Sequence, residues 1–135
     1  MGRFLTIILV LAALIAGGLW YASTPDIPRA TLEAKYATPP SAFVMLPDGA
    51  RAHYRERGDK SAPALLLLHG SNASLLTWEP WSKALSGTFH VVSVDLPGHG
   101  LTGAVPNGDY SQEGMVRFAL AFADKIGLKQ FSLAG

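Results

Sequence analysis

An uninterrupted apolar run, Ala64–Leu68, constrains the fold of this chain more than any other feature. A strand that is apolar at every position, and not only at alternate ones, is buried on both faces, which is typical of parallel sheets covered by helices. A second strand of this kind is predicted at His90–Val94, and a helix-like segment, Trp78–Ser86, lies between the two. Two buried strands separated by a helix indicate an α/β protein.

A β-hairpin is predicted before these strands. Phe43–Leu46 and Arg51–Arg57 flank Pro47-Asp48-Gly49, and these three residues favour a turn. The second strand alternates loosely, with Ala52 and Tyr54 on one face. We therefore expect an opening hairpin that joins the main sheet.

A long amphipathic helix is predicted at Ser111–Ile126, followed by Gly127 and a last strand at Gln130–Leu133. Its apolar stripe comprises Met115, Ala119, Phe122 and Ile126, widened by Val116, Leu120 and Ala123. The resulting order β-β-β-α-β-α-β predicts an α/β fold whose sheet is largely parallel after the opening hairpin.

The N-terminal segment, residues 4–22, contains 19 residues without a charge, and about 20 apolar residues cross a bilayer. Arg3 precedes it, and Trp20 and Tyr21 close it. Positive charge before the span favours a cytoplasmic N-terminus, so a single-pass anchor would place the domain on the extracytoplasmic side. The alternative is a signal peptide and a secreted domain, but the small residues 16–18 would put the cleavage site inside the apolar run.

Three regions follow from this pattern. Residues 1–22 are a transmembrane anchor or signal peptide, residues 23–41 are a proline-rich tether with a short helix near Leu32–Tyr36, and residues 42–135 are the globular part.

Composition excludes several classes of function. The chain has no cysteine and a net charge of +1, which excludes thiolate sites and gives no reason to expect a nucleic-acid partner. The four histidines have no metal-ligand spacing. We expect no metal and no other cofactor.

The stretch Gly98–Gly103, GHGLTG, matches the dinucleotide pattern G-x-G-x-x-G. Its surroundings do not fit, because Asp95-Leu96-Pro97 separates it from the strand and turn residues 104–108 follow where a helix should begin. We interpret it as a glycine-rich loop at the carboxyl edge of the sheet, where α/β proteins place their active sites.

Three segments, taken in order, resemble the α/β-hydrolase superfamily. They are LLLLHGS at 65–71, VVSVDLPGHG at 91–100, and the helix and strand at 111–135 that end in Gly135. The resemblance covers about residues 42–135, the N-terminal half of such a domain. It implies that the last strand enters the nucleophile elbow G-x-S-x-G, with Gly135 as its first glycine.

By this resemblance, the Ser71 amide that follows His69-Gly70 is the oxyanion-hole donor supplied by the loop after the third strand. Asn72 stands where many relatives have proline, which leaves the subfamily open, and its side chain is an alternative pocket-facing group. The nucleophile would lie two residues beyond Gly135. The chain is therefore expected to be a truncated hydrolase that lacks the nucleophile, the acid and the histidine of the triad.

The remaining candidates have structural interpretations. We expect His69 to be a structural histidine beneath the oxyanion loop and not a general base. Asp95 is expected to accept loop N–H bonds, because the triad acid follows the nucleophile in family order. His99, between Gly98 and Gly100, is expected to fix the loop at the active-site edge.

The leading functional hypothesis is a membrane-tethered serine hydrolase that acts on an ester-like small-molecule substrate, with residues 4–22 as its membrane contact. One alternative on the same fold is an epoxide or haloalkane hydrolase with an aspartate nucleophile. The other is a non-catalytic, membrane-anchored binding module. The oligomeric state is left open.

Overall fold

The computed structural model describes residues 2–23 and 25–135. Its helices and strands are α1 (Gly2–Ala22), α2 (Arg29–Tyr36), β1 (Ser41–Met45), β2 (Arg51–Arg57), β3 (Ala64–Leu68), α3 (Glu79–Leu85), β4 (His90–Val94), α4 (Gln112–Lys125) and β5 (Ser132–Ala134). A 3₁₀ turn, Leu75–Trp78, leads directly into α3. The order of elements after residue 41 is the predicted one.

The strands form one sheet in the order β1-β2-β4-β3-β5. β1 and β2 form the predicted antiparallel hairpin, and β2 also pairs antiparallel with β4. β4, β3 and β5 are mutually parallel. β3 and β4 have the predicted bounds, whereas β5 begins at Ser132, two residues later than expected. The α/β fold with a mostly parallel sheet is confirmed.

The central strands and α4 form the core. Leu66, Val92 and Val94 are at most 1% exposed, and Phe122 of α4 is fully buried against them. The Phe122 ring meets the Tyr54 ring of β2 edge-on, with centroids 5.3 Å apart. Each large apolar side chain buried in this way contributes about 1.5–3 kcal/mol, so this cluster fixes α4 on the sheet.

The buried face of α4 differs from the prediction. Val116 and Leu120, both assigned to the apolar stripe, are 58% and 59% exposed, whereas Phe118, outside the predicted stripe, is 4% exposed. The stripe was drawn too wide, because one sheet covers only one side of a helix. The face that the sheet covers contains Phe118 and Phe122, the two largest apolar side chains, which lie four residues apart.

Strand β2 is buried on both faces, although only one apolar face was predicted. Ala52 is fully buried in the core shared with α4. His53 and Arg55 point to the opposite face, because side chains alternate along a strand, and they are only 2% and 9% exposed. The polar side of β2 therefore carries buried hydrogen bonds.

Helix α2 lies within the predicted tether and contacts the globular part through charged side chains. Arg29 donates a hydrogen bond to the carbonyl of Leu101. The Glu33 carboxylate accepts from Arg51 at 2.6 Å and from Arg29 at 2.7 Å. The hydrogen bonds from these two guanidinium groups hold the pKa of Glu33 below its ordinary value, and the one from Arg51 has the larger effect. This helix is thus fastened to the domain at both β2 and the loop after β4.

Helix α1 has the length and apolar composition of a membrane span, and none of its residues is buried. A signal sequence near an N-terminus has the same properties.

Candidate active site

Three candidate segments meet at the carboxyl edge of the parallel strands. β3 runs into His69-Gly70-Ser71, β4 runs into Asp95, and β5 runs into Gly135. The strands are neighbours in the sheet, so their carboxyl ends lie side by side. Gly135 lies so close to β3 that a Cβ there would be 3.2 Å from the Leu68 carbonyl oxygen. In open α/β sheets this edge is the usual ligand site.

His69 lies beneath the loop that follows β3, with 4% of its surface exposed. Its Nε2 accepts the Leu96 N–H at 3.0 Å, and its Nδ1 lies 2.8 Å from the Gly70 carbonyl oxygen, to which it donates. Both ring nitrogens are therefore engaged, Nε2 as an acceptor and Nδ1 as a donor. The ring joins the loop after β3 to the loop after β4, which leaves it no lone pair for general-base work.

The loop after β3, Gly70–Ser74, which is the predicted oxyanion loop, is open to solvent at Gly70, Ser71 and Asn72. Asn72 has a φ of 57°, a left-handed conformation that asparagine tolerates better than most residues. Within the described residues, the Ser71 N–H donates no hydrogen bond. An exposed amide without an internal acceptor is able to donate to a developing oxyanion. Ser74 ends the loop and caps the 3₁₀ turn by accepting the Leu76 N–H.

Asp95 joins this loop to the glycine-rich loop. Its Oδ1 accepts the Leu75 N–H at 2.8 Å, and its Oδ2 accepts the Leu101 N–H at 2.8 Å. Oδ2 also accepts from His53 Nδ1 at 2.7 Å, and the carboxylate is 1% exposed. Burial raises the pKa of Asp95, but the hydrogen bonds from His53 and the two amides outweigh it, so the pKa lies below its ordinary value.

The turn Gly98-His99-Gly100 wraps around that carboxylate. Gly98 and Gly100 have φ of 79° and 48°, and a Cβ on Gly100 would lie 2.1 Å from Asp95 Oδ2. Only glycine fits there. His99 Nδ1 contacts the Pro97 carbonyl at 2.9 Å, and its ring packs edge-on against His69 with centroids 5.1 Å apart. No helix begins between this turn and Gln112, so the phosphate-binding context is absent from this described segment.

His53 is the site residue that sequence reasoning missed. Its Nε2 lies 2.9 Å from Ser41 Oγ, which gives a Ser–His–Asp alignment in which His53 and Asp95 are buried and Ser41 is half-buried. Arg55 Nε donates to the same Oγ at 2.9 Å, and this hydroxyl also contacts the Tyr36 carbonyl at 3.3 Å, so it is held within a hydrogen-bond network. The alignment therefore favours a structural role, holding Asp95 in place.

Arg55 extends this buried network to α3. Its guanidinium donates to Glu79, which also accepts from Arg57 at 3.0 Å. Burial raises the pKa of Glu79, but these two cations outweigh it and hold the pKa below its ordinary value. The sequence carries one hint of this network, the series of charged and polar residues in β2. Period-two alternation alone predicts that these side chains face solvent.

Metal binding has no candidate among the described residues, because no three metal-binding side chains cluster in residues 2–23 and 25–135.

Comparison with known proteins gives the family. A model of the α/β hydrolase fold matches residues 63–135. An (E)-2-((N-methylformamido)methylene)succinate hydrolase of Acinetobacter baylyi is 32% identical over 70% of this chain and 35% of its own length. A monoacylglycerol lipase, abhd6-B, of Xenopus laevis is 38% identical over 61% of this chain and 25% of its own length.

Solved structures agree with this assignment. The structure of a bacterial membrane phospholipase A aligns with 100% of this chain, with 31% identity and a TM-score of 0.69. The aligned part is 44% of the phospholipase chain. The Cif epoxide hydrolase of Acinetobacter nosocomialis aligns with 82% of this chain, with 26% identity and a TM-score of 0.65. The aligned part is 38% of the epoxide hydrolase chain. The chain spans about a third of the length of the curated relatives that it matches. It belongs to the α/β-hydrolase fold family.

Proposed function

We propose that the full-length protein is a membrane-tethered hydrolase that uses a serine nucleophile on an ester-like substrate. The observation that carries the proposal is the amide of the exposed residue Ser71, which has no internal acceptor among the described residues and follows β3, the neighbour of β5 in the sheet. Relatives named as a monoacylglycerol lipase and a membrane phospholipase A support an ester substrate.

In this proposal, the nucleophile lies two residues beyond Gly135, on the sharp turn that follows β5. Its attack on the substrate carbonyl forms a tetrahedral intermediate with a negatively charged oxygen. The Ser71 N–H donates to that oxygen, and the amide after the nucleophile is the second donor. Asp95 and His69 take no proton in this step, because their polar atoms hold the loops together.

A fixed oxyanion loop matters for rate. Donors that are already in position stabilise the transition state without reorganising when charge develops. The hydrogen bond from Leu75 to Asp95 holds the end of the loop, and the contact from His69 to the Gly70 carbonyl holds its start. We therefore assign Asp95 and His69 as positioning residues for the Ser71 amide.

Helix α1 is proposed to be an uncleaved anchor, with a cytoplasmic N-terminus and the domain on the extracytoplasmic side. Its length and apolar composition support this, as do Arg3 before it and aromatic residues at its end. Extraction of membranes at alkaline pH tests it. An anchored protein stays in the membrane fraction, whereas release of a shortened protein would show a cleaved signal peptide.

A second candidate is an aspartate-nucleophile hydrolase. Its support is the likeness to human Epoxide hydrolase 4, 28% identical over 69% of this chain, and to the Cif epoxide hydrolase. The residue two positions beyond Gly135 in the full-length protein decides between serine and aspartate.

Substitution of Ser71 tests the role of its amide. Ser71→Pro removes the N–H, and loss of one oxyanion donor lowers kcat by about 10²–10³. Ser71→Ala is the matched control, because it removes the hydroxyl and keeps the amide, so its kcat should stay near that of the unmodified protein. The measurement is p-nitrophenyl ester hydrolysis, with circular dichroism to check folding. A folded Ser71→Pro protein with unchanged kcat would contradict the assignment.

A further inference from the structure

Helix α2 and the candidate active site enclose a cavity of about 290 Å³. We infer that this cavity binds the apolar chain of the ester substrate, an acyl or alkyl chain that partitions into membranes. The inference rests on the proposed hydrolase function. An apolar cavity of about 150 Å³ already holds a benzene molecule, so the volume is sufficient for a segment of hydrocarbon chain.

The lining of the cavity selects an apolar ligand. Leu32 and Tyr36 of α2 line the cavity, together with Leu76 of the 3₁₀ turn and Leu101 of the glycine-rich loop. Apolar walls with few polar groups are typical of sites for apolar small molecules.

The polar residues at the cavity are already engaged with the protein. His53 and Asp95 bond to each other at 2.7 Å, and Ser74 Oγ accepts the Leu76 N–H. No lining side chain in the described part of the chain therefore offers an uncompensated charge to a phosphate or carboxylate. A hydrocarbon chain satisfies this site, whereas a charged group would lose its hydration without a partner.

The wall formed by α2 is held in place. Arg29 and Arg55 donate to the carbonyls of Leu101 and Tyr36, the latter at 2.9 Å. Residues 29–36 lie outside the segment matched by the family model, 63–135. One wall of the cavity is therefore formed by residues that lie outside the segment matched by the family model, although the likeness to the membrane phospholipase A extends over them. The cavity lining includes Ser74, the last residue of the loop that carries Ser71.

The distance to the membrane supports a lipid-like ligand. Helix α1 ends at Ala22 and α2 begins at Arg29. Seven Cα steps span at most about 25 Å when fully extended. If α1 crosses the membrane, the start of α2, and with it the edge of the cavity, stays within that distance of the membrane surface. Substrates dissolved in the bilayer are then the nearest supply of apolar chains.

Chain-length selectivity of the full-length protein in lipid nanodiscs tests the inference. The readout is the ratio of kcat/KM for p-nitrophenyl decanoate to that for p-nitrophenyl acetate. Leu32→Trp fills the cavity and should lower the ratio at least about tenfold, the scale on which apolar pockets discriminate chain length. Leu76→Trp, at the lining position in the 3₁₀ turn, should do the same if Leu32→Trp fails to fold. Leu120→Trp, on the exposed face of α4, is the matched control and should leave the ratio unchanged.

A binding measurement separates this inference from the proposed function. Dodecanol should raise the melting temperature of the unmodified protein more than that of Leu32→Trp, because a ligand that binds the folded state stabilises it. Stabilisation without hydrolysis of either ester would support the cavity and contradict the proposed function. The inference would be overturned if the protein hydrolyses both esters but neither tryptophan variant changes the kcat/KM ratio or the rise in melting temperature caused by dodecanol.

Discussion

Replacement of Asp95 by asparagine tests how the active-site edge is held together. The carboxylate accepts three hydrogen bonds, from the His53 ring at 2.7 Å and from the Leu75 and Leu101 amides at 2.8 Å each. Asparagine has the same shape, but an NH₂ group replaces one oxygen. That NH₂ would face an N–H donor in either orientation of the amide, because donors approach both oxygens. At least one buried donor is then left without an acceptor.

The expected loss follows from these contacts. A hydrogen bond to a charged group contributes about 1.5–3 kcal/mol, and an unsatisfied buried donor costs about 1–3 kcal/mol. We expect Asp95→Asn to lower the free energy of unfolding by about 3–5 kcal/mol, a large share of the roughly 5–15 kcal/mol that stabilises a typical domain.

Urea unfolding of the full-length protein, followed by tryptophan fluorescence, measures this loss. The midpoint should fall while the slope with denaturant stays constant. Asp59→Asn is the matched control, because Asp59 is exposed and accepts only the Ser61 N–H, at 2.9 Å, from the backbone. It should change the free energy of unfolding by less than about 1 kcal/mol. If Asp95→Asn costs no more than this control, the carboxylate does not hold the two loops, and the positioning role is refuted.

Two further predictions concern the same carboxylate. Gly100→Ala places a Cβ 2.1 Å from Asp95 Oδ2 in a left-handed conformation, so it should destabilise by more than about 1 kcal/mol in the urea assay; Gly87→Ala, which meets nothing within 4 Å, should not. The lowered pKa of Asp95 means that its stabilising effect is fully present above the ordinary aspartate pKa of about 3.9 and is lost as pH falls from there through the pKa in the folded protein. The free energy of unfolding of Asp95→Asn should therefore fall less steeply below about pH 4 than that of the unmodified protein. An equal dependence on pH in the two proteins would contradict the lowered pKa of Asp95.

The strands and the edge loops were predictable because their signals are local. An unbroken apolar run marks β3, a valine-rich run marks β4, and Pro-Asp-Gly marks the hairpin turn, without knowledge of any distant residue. The buried face of α4 was less predictable, because the sheet determines which apolar side chains are covered. Phe118 is buried and Leu120 is exposed for that reason.

The partners of Asp95 could not be predicted from local pattern. His53 lies 42 residues away in the sequence and reaches Asp95 because β2 pairs with β4 in a register that sets Tyr54 opposite Val94. The sequence shows a histidine between Ala52 and Tyr54, which period-two alternation assigns to the polar face. Only the tertiary pairing shows that this face is buried and that its histidine holds a carboxylate.

The glycine pattern GHGLTG is explained by the same carboxylate. A phosphate-binding loop needs glycines so that the backbone can approach an anion closely and present its N–H groups. This loop meets the same requirement, since the Leu101 N–H donates to Asp95 Oδ2 and Gly100 leaves no room for a Cβ beside it. The anion is the side chain of the protein itself. Gly-x-Gly-x-x-Gly thus marks close approach of a backbone to an anion, and the helix that follows, or its absence, decides whether that anion is a ligand.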